Sequence, residues 1–378
     1  MSAIEIRPAL SPREKRLFLS FPWGIYRHDP LWVPPLLPER TKAIDPDQGP
    51  FFKDGRAEFF LAWADGRPAG TLCLAEDYNF TRARGAPECM LNHIEFQRDY
   101  TVFEALMDFA LDWARRHEMK SLYGPYYLDR EDCRGLLVEG YERPPAIMCG
   151  HQPPYYREFY ERYGFVKDGE DLLAYAINFD PDAPEIRRLY RLAERVRRRN
   201  PEFTVRGANI ADVDGEIDRI VDLQNRALGH FANHVPFTRR DIEAMILPVL
   251  DAVDPDLVLF AEVDGKPAGF FPGVPNFNEL LIHLNGIRYP WDKLRYLRYR
   301  NLRPGCVAIK SVVVPPEYWD IGVAVLLFEQ MARRAIAKGY RWADLSLTGE
   351  DNPDTWPIAH HMGAQIYKRY RFYRKNVE

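Results

Sequence analysis

The chain has 378 residues, enough for two domains, and its 28% charged and 46% apolar residues are typical of a globular protein. Its net charge of −4 gives no overall attraction to nucleic acid or to an anionic membrane, and it contains no run of roughly 18 apolar residues, the length that predicts a membrane span. Residues 1–10 lack the apolar core of a signal peptide, and the five cysteines form no C-x-x-C pair. We therefore expect a cytoplasmic protein with reduced thiols and no metal site.

The first half opens with a predicted helix at 11–26, with Ser11 as its N-cap. A hairpin with an Asp-Gly turn follows at 59–70. The same phrase returns at 258–269, where Ala, Asp-Gly, a basic residue and Pro-Ala-Gly recur in the same order, and so long a repeat indicates duplication. We predict an N-terminal domain at 1–180, a linker helix at 181–202 and a C-terminal domain at 203–378.

Two intervening stretches have alternative interpretations. The segment 126–154 is punctuated by Gly and Pro, which is typical of a functional or a disordered insertion, and its apolar runs favour an ordered one. The linker helix contains seven arginines, which suit either a solvated surface or an RNA-binding one. Because Glu185 and Glu194 interrupt the arginines and the whole chain is acidic, the composition favours a solvated surface.

The most informative stretch runs from 306 to 371. Alternation and β-branched residues predict a strand at 307–314, a loop at 315–321 and a second strand at 342–347. Between them, 322–338 has an apolar stripe at helical spacing. A helix that follows a strand through a glycine-containing turn offers its first backbone N–H groups to an anion.

This stretch resembles the acyl-CoA-binding half of the GNAT acetyltransferase superfamily. The family loop Arg/Gln-x-x-Gly-x-Gly/Ala matches 319–324, with Gly322 and Ala324 kept and Trp319 in place of Arg or Gln. The family's Asn, followed eleven residues later by Gly, matches Asn352 and Gly363, whereas Ala359 stands about where a general-acid tyrosine is usual. The resemblance implies two tandem GNAT-like folds of the α/β class with mixed sheets. The first copy has no glycine at 97–101 and is expected to be degenerate, without its own CoA site.

The resemblance also implies site residues, and two interpretations stay open for most of them. Gly322 and Ala324 either cradle a pyrophosphate or mark a close packing contact. Glu350 and Asn352 orient an amine or the cofactor, or else Asp351 or Asn352 caps a helix ahead of Pro353. His360 lies near the position of the missing acid. The expected catalytic residues are Glu350, Asn352 and His360, and the expected cofactor-binding residues are Val312, Val313, Val314, Trp319, Gly322, Val323, Ala324 and Asn352.

The expected function is acyl-CoA-dependent N-acyl transfer, from acetyl-CoA or another acyl-CoA to an amine acceptor. A non-catalytic ligand-binding protein of the same fold and an aminoacyl-tRNA-dependent transferase are the alternatives. His230 and His234 lack a third ligand, so no metal is expected. We expect neither a nucleic acid nor a membrane as partner, and a monomer or a homodimer.

Overall fold

The computed structural model describes residues 4–128, 134–229, 236–247, 250, 253–352 and 362–377. Its strands are β1 (Ile4–Pro8), β2 (Gly55–Ala64), β3 (Arg67–Asp77), β4 (Cys89–Phe96), β5 (Ser121–Tyr126), β6 (Leu136–Glu139), β7 (Val166–Lys167), β8 (Leu172–Asn178), β9 (Phe203–Gly207), β10 (Val258–Val263), β11 (Lys266–Pro275), β12 (Cys306–Ile309), β13 (Trp342–Gly349), β14 (Gln365–Arg371) and β15 (Tyr373–Asn376). Its α-helices are α1 (Pro12–Ser20), α2 (Pro22–Ile25), α3 (Leu37–Ala43), α4 (Tyr78–Arg84), α5 (Tyr100–Arg116), α6 (Tyr155–Tyr163), α7 (Pro184–Arg199), α8 (Val213–Leu228), α9 (Arg239–Ile246), α10 (Asn278–Leu281), α11 (Asp292–Tyr299) and α12 (Val323–Ala337).

The strands form two mixed sheets. The first has the order β1-β2-β3-β4-β5-β15-β7 and the second the order β6-β14-β8-β13-β12-β11-β10-β9. Each sheet contains one parallel pair, β4 with β5 and β12 with β13, and each pair is connected through a helix, α5 or α12. The predicted α/β class with mixed sheets is confirmed.

The repeated phrase forms the same hairpin in both sheets. Asp65-Gly66 and Asp264-Gly265 all have positive φ, as a tight turn between twisted strands requires. Each hairpin has a register shift directly after the matching alanine, Ala62 in β2 and Ala261 in β10. The two copies therefore share their irregularities as well as their sequence, as duplication predicts.

Each copy packs one long helix against its sheet. The predicted stripe on α12 is buried, with Leu326, Leu327, Met331 and Ala335 in the core of the second sheet. In the first copy, α5 occupies the equivalent place between β4 and β5 and buries Phe103 among other side chains. These helices position the loops that precede them, where the family resemblance places the cofactor.

The two sheets exchange strands. β8 precedes the linker in sequence but lies between β13 and β14 of the second sheet, whereas β15 ends the second half but lies between β5 and β7 of the first. β6, from the predicted insertion, pairs with β14 and is ordered. The domain boundaries at 180 and 203 stay a prediction, and strands on both sides of them are hydrogen-bonded to one another.

Candidate functional site

The parallel strands of the second sheet separate at the centre of the chain's most informative stretch. β12 pairs with β13 from Cys306↔Trp342 to Ile309↔Leu345. On its other side this chain segment pairs with β11, from Val307 to Ile309 and again at Val313, which exchanges two backbone hydrogen bonds with Phe270, of 2.9 and 2.8 Å. Among the described residues, 310–314 make no backbone hydrogen bond to the continuing β13, and we call this separation the gap.

Unused backbone donors line this gap. Within the described ranges, the N–H groups of Val312 and Val314 make no hydrogen bond, while the N–H group of Val313 donates to Phe270 on β11. Val312 is 40% exposed, and Val313 and Val314 are buried. A separated strand with free N–H groups can pair with an extended amide-containing ligand as another strand would.

Trp319 folds back onto this strand. Its indole Nε1–H donates to the carbonyl oxygen of Val314 at 2.8 Å, and its ring stays partly exposed. The residue that replaces the family's Arg or Gln thus contacts a predicted cofactor residue. It supplies no positive charge for a phosphate, and it occupies one carbonyl of the strand.

Gly322 begins α12 and packs against the linker helix. Its φ of 101° is in the left-handed region, and a Cβ there would lie 2.7 Å from both Cγ atoms of Val196 on α7. Along the same interface Arg197 pairs with the buried Glu329. The packing interpretation of Gly322 has a definite partner, while its role toward phosphate stays a prediction, as do those of Val323 and Ala324.

A polar network lies where β12 and β13 begin to separate. Asp344 Oδ2 accepts from Lys310 Nζ at 2.9 Å and from Ser346 Oγ at 2.6 Å, and its Oδ1 accepts from the Tyr367 hydroxyl at 2.7 Å. Lys310 Nζ also lies 2.6 Å from Ser346 Oγ, and Cys149 Sγ lies 3.3 Å from that oxygen. Residues of β13 and β14, the residue directly after β12 and the insertion meet in this cluster.

The network holds one positive charge. Burial alone lowers the pKa of Lys310, but the adjacent Asp344 carboxylate, which accepts a hydrogen bond from the ammonium, outweighs it, so the pKa lies above its usual value. Burial raises the pKa of Tyr367 well above its usual value, with a further contribution from Asp344, and burial raises that of the Cys149 thiol. At neutral pH Lys310 is therefore a cation, and Tyr367 and Cys149 keep their protons.

The predicted catalytic residues lie elsewhere or outside the described chain. Glu350 Oε1 binds Lys167 Nζ at 2.5 Å and the Asp171 N–H at 3.0 Å, and Arg369 binds Oε2 at 2.5 Å. The Asp171 N–H and the Lys167 ammonium lower the pKa of Glu350, which disfavours it as a proton acceptor at neutral pH. Asn352 Nδ2 contacts Thr348 Oγ1 at 3.3 Å.

His360, Ala359, His230 and His234 lie outside the described residues. The catalytic roles expected for Glu350, Asn352 and His360 stay predictions.

The corresponding region of the first copy holds a carboxylate at its helix start. Asp99 accepts from the N–H of Thr101 at 2.9 Å at the beginning of α5, so its negative charge occupies the place where a phosphate would bind. Deeper in this copy, the buried Glu95 on β4 accepts from the hydroxyls of Tyr26 at 3.0 Å and Tyr156 at 2.7 Å. The degeneracy of the first copy stays a prediction.

The polar network was not predicted from the sequence, although two of its residues stand out there. Lys310 and Asp344 are charged residues inside strands that otherwise read as buried. In the parallel register Ala308 is the neighbour of Asp344 on the adjacent strand. Because side chains alternate, Lys310, Asp344 and Ser346 then lie on the same face of the sheet, with Lys310 next to Ser346. Tyr367 and Cys149 come from distant segments, and only the tertiary structure brings them in.

Comparisons with known proteins fit this geometry. The sequence model of the Acetyltransferase (GNAT) family matches residues 217–364. Protein YghO of Escherichia coli is 30% identical over 98% of this chain and 95% of its own, and a bacterial ceramide synthase of Caulobacter vibrioides is 29% identical over 98% and 97%. The chain belongs to the GNAT acetyltransferase family.

Solved structures confirm the tandem fold of this GNAT protein. A tandem GNAT protein from the clavulanic acid biosynthesis pathway aligns over 100% of this chain and 99% of its own, with a TM-score of 0.59 at 16% identity. A GCN5-related N-acetyltransferase from Sphaerobacter thermophilus covers 99% and 96%, with a TM-score of 0.54 at 15% identity. At these identities the likeness shows the fold alone and identifies neither the cofactor nor the acceptor.

Proposed function

We propose that this GNAT protein is an acyl-CoA-dependent N-acyltransferase whose second copy binds the acyl-CoA between β12 and β13. The observation that carries the proposal is the separation of these strands beyond Ile309, with the N–H groups of Val312 and Val314 free of partners in the described chain. The pantetheine arm of CoA contains two amides, so it can pair with such a strand. Family membership supports acyl transfer as the reaction class.

The proposed reaction is a direct attack of an amine nitrogen on the thioester carbonyl. The C–N bond forms, the C–S bond breaks, and the electron pair leaves on the CoA sulfur. A free backbone N–H of the strand polarises the carbonyl, and the Lys310 ammonium stabilises the negative charge of the departing thiolate. The proton that the amine loses reaches the thiolate through solvent, so the step balances.

The surrounding contacts suit Lys310 to this role. Asp344 and Ser346 hold its ammonium at 2.9 and 2.6 Å, and its raised pKa keeps it protonated at neutral pH. Its side chain is 18% exposed, and its backbone begins the unpaired stretch 310–314. Asp344 itself accepts from three donors, which leaves it as the group that positions Lys310.

For the acceptor we propose a long-chain amino alcohol. The relative from Caulobacter vibrioides, which aligns over nearly the whole chain, is named a ceramide synthase. A ceramide is the amide of a fatty acid with such an amino alcohol, so its formation from an acyl-CoA is N-acyl transfer. The acyl donor in this proposal is a fatty acyl-CoA.

The test combines acyl-CoA binding with release of the free CoA thiol, for acetyl-CoA and long-chain acyl-CoA, each with short and long-chain amines. We expect turnover with the long-chain pair, and we expect Val312→Trp to abolish binding by filling the gap. Val166→Trp, at a 63% exposed valine of the first sheet, is the matched control and keeps full activity. Wild-type turnover by Val312→Trp would refute the cofactor position.

The role of Lys310 has its own comparison. Lys310→Met removes the positive charge and should lower kcat far more than KM, while Lys310→Arg keeps the charge and part of the rate. Thermal unfolding of both variants separates a catalytic loss from a folding loss, because the Met variant also leaves Asp344 buried without its cation. Equal kcat in wild type and Lys310→Met would exclude stabilisation of the thiolate by this residue.

A non-catalytic acyl-CoA-binding protein is the second candidate. The observations that favour it are the Trp319 indole on the Val314 carbonyl and the Val196 side chain against Gly322, since both fill space near the expected pyrophosphate position. Binding of acyl-CoA without turnover of any amine would support this candidate.

A further inference from the structure

The segment between β11 and β12 holds α11 through its inner face. Asp292, only 1% exposed, accepts from the N–H of Tyr289 at 2.9 Å and from Asn285 Nδ2 at 3.1 Å, and it pairs with Arg295 at 3.3 Å. Tyr299 at the other end stacks on His283 with ring centres 4.4 Å apart. These contacts hold α11 against the protein on the side of Asp292 and Tyr299, so the opposite side is its outer face.

The outer face of α11 is apolar and exposed. Leu294 and Leu297 are 66% and 56% exposed, and Trp291 just before the helix is 62% exposed. Leu294 and Leu297 are three residues apart and neighbours on the helix surface. A folded domain scatters exposed apolar side chains singly, so three within seven residues on one side of a helix indicate a binding surface.

Cations flank the two leucines. Residues 291–303 contain five basic residues and one acidic residue, and that acid is the buried Asp292. At 100° per residue, Lys293 and Arg300 lie on one side of the leucine pair and Arg298 on the other. Among described residues, Lys293, Arg300 and Arg303 have no ion pair, and Arg298 contacts only the ring of Tyr299. The charge of this surface opposes that of the whole chain, which is −4.

We propose that the outer face of α11 docks the protein onto an anionic phospholipid surface. Leu294, Leu297 and Trp291 enter the boundary between head groups and acyl chains, and the flanking cations reach the lipid phosphates with their aliphatic stems along the apolar layer. No helix in the described ranges has the length and composition to cross a bilayer, and this contact requires none. Whole-chain charge predicts no membrane partner; the local charge of 291–303 favours one.

The docking surface adjoins the interface between the two copies. Trp23 of the first copy donates its indole N–H to Asn285 Oδ1 at 2.8 Å, and Gly286 lies against the carbonyl of Pro35. The same segment continues into β12, the strand that opens the gap. A lipid acceptor would thus leave the bilayer beside the copies that use it; this last point rests on the proposed function, whereas the docking does not.

The test is co-sedimentation of the full chain with vesicles of phosphatidylglycerol and phosphatidylcholine, against vesicles of phosphatidylcholine alone. We expect binding to the anionic vesicles that weakens as salt increases. Binding should fall at least about tenfold in Arg298→Glu/Arg300→Glu, since each basic residue near an anionic surface contributes about a factor of five. It should fall at least about tenfold also in Leu294→Glu/Leu297→Glu, since two apolar side chains no longer enter the boundary between head groups and acyl chains. All four side chains are exposed, so the variants fold.

The matched control is Arg191→Glu/Arg195→Glu on α7, which changes the net charge by the same amount as Arg298→Glu/Arg300→Glu. Both arginines are exposed, and fewer exposed apolar side chains lie near them. It should bind as the wild type does. Equal loss in the α7 control would show general charge attraction and overturn the proposal, and so would absence of wild-type binding to anionic vesicles. A dimer that Leu294→Glu/Leu297→Glu dissociates, without lipid binding, would assign the surface to self-association instead.

Discussion

The carboxyl group of Glu95 should make the protein less stable as the pH rises from about 5 to 8. Glu95 is 5% exposed, and burial raises its pKa to about 7, although hydrogen bonds from Tyr156 and Tyr26 partly offset this. In the unfolded chain the pKa is near the ordinary value of 4.5. Between these values the folded protein holds the proton that the unfolded chain has lost, so the stability present below pH 4.5 is lost as the pH rises through 7.

The folded and unfolded pKa values, about 7 and 4.5, differ by about 2.5, and a difference of one is about 1.4 kcal/mol, so ionisation costs about 3–4 kcal/mol. Glu95→Gln keeps the shape and an acceptor for the two tyrosine hydroxyls, but it has no proton to lose. We expect the variant and the wild type to have similar free energies of unfolding at pH 4.5, and the variant to be more stable by about 3–4 kcal/mol at pH 8.

Urea unfolding of both proteins at a series of pH values measures this difference, in which the titration of all other groups cancels. Glu76→Gln on β3, at a carboxylate whose side chain pairs with Arg56, is the control for removing one negative charge from the same sheet. A stability difference that stays constant between pH 4.5 and 8, or one in favour of the wild type at pH 8, would refute the reasoning.

Two further predictions concern the backbone of α12 and a buried lysine. Gly322→Ala should cost about 2 kcal/mol or more of stability, because a Cβ is strained at this positive φ and meets Val196. Val196→Ala in the same chain should restore only the steric part of this loss. A double-mutant cycle in urea measures the coupling between the two positions, and strict additivity would contradict the predicted contact. Burial lowers the pKa of Lys368 to about 8, so between about pH 8 and 10 the unfolded chain holds a proton that the folded protein has lost. The wild type should therefore gain stability relative to Lys368→Met as the pH rises through this range. A stability difference that shrinks with pH would exclude the effect.

Features that depend on neighbouring residues were predictable from the sequence. The Asp-Gly turns, the Ser11 cap and the apolar stripe of α12 are determined within a few residues, and all three are present. Partners chosen across the chain were not predictable. Nothing near Gly322 indicates that its small size serves α7, and the Lys310–Asp344 pair required the parallel register of β12 and β13.

The exchange of strands is the largest feature of this second kind, and it makes the last residues of the chain part of the first copy. Tyr373 on β15 is 1% exposed in the core of the first sheet, and its hydroxyl donates to Glu161 at 3.0 Å. Arg374 beside it binds Glu88 at 2.6 Å and Asp168 at 2.8 Å. These contacts all lie before the linker helix in sequence.

We therefore predict that Tyr373→Ala loosens the first sheet, with a loss of about 3–5 kcal/mol for a buried aromatic side chain. Hydrogen exchange measured peptide by peptide should speed up in β5 and β7, which flank β15, and stay slow in β10 and β11. Ile366→Ala, at a 47% exposed position of β14, is the control and should change neither. Faster exchange confined to the second sheet would mean that the chain end stabilises its own half, and that the two copies fold as separate units in sequence order.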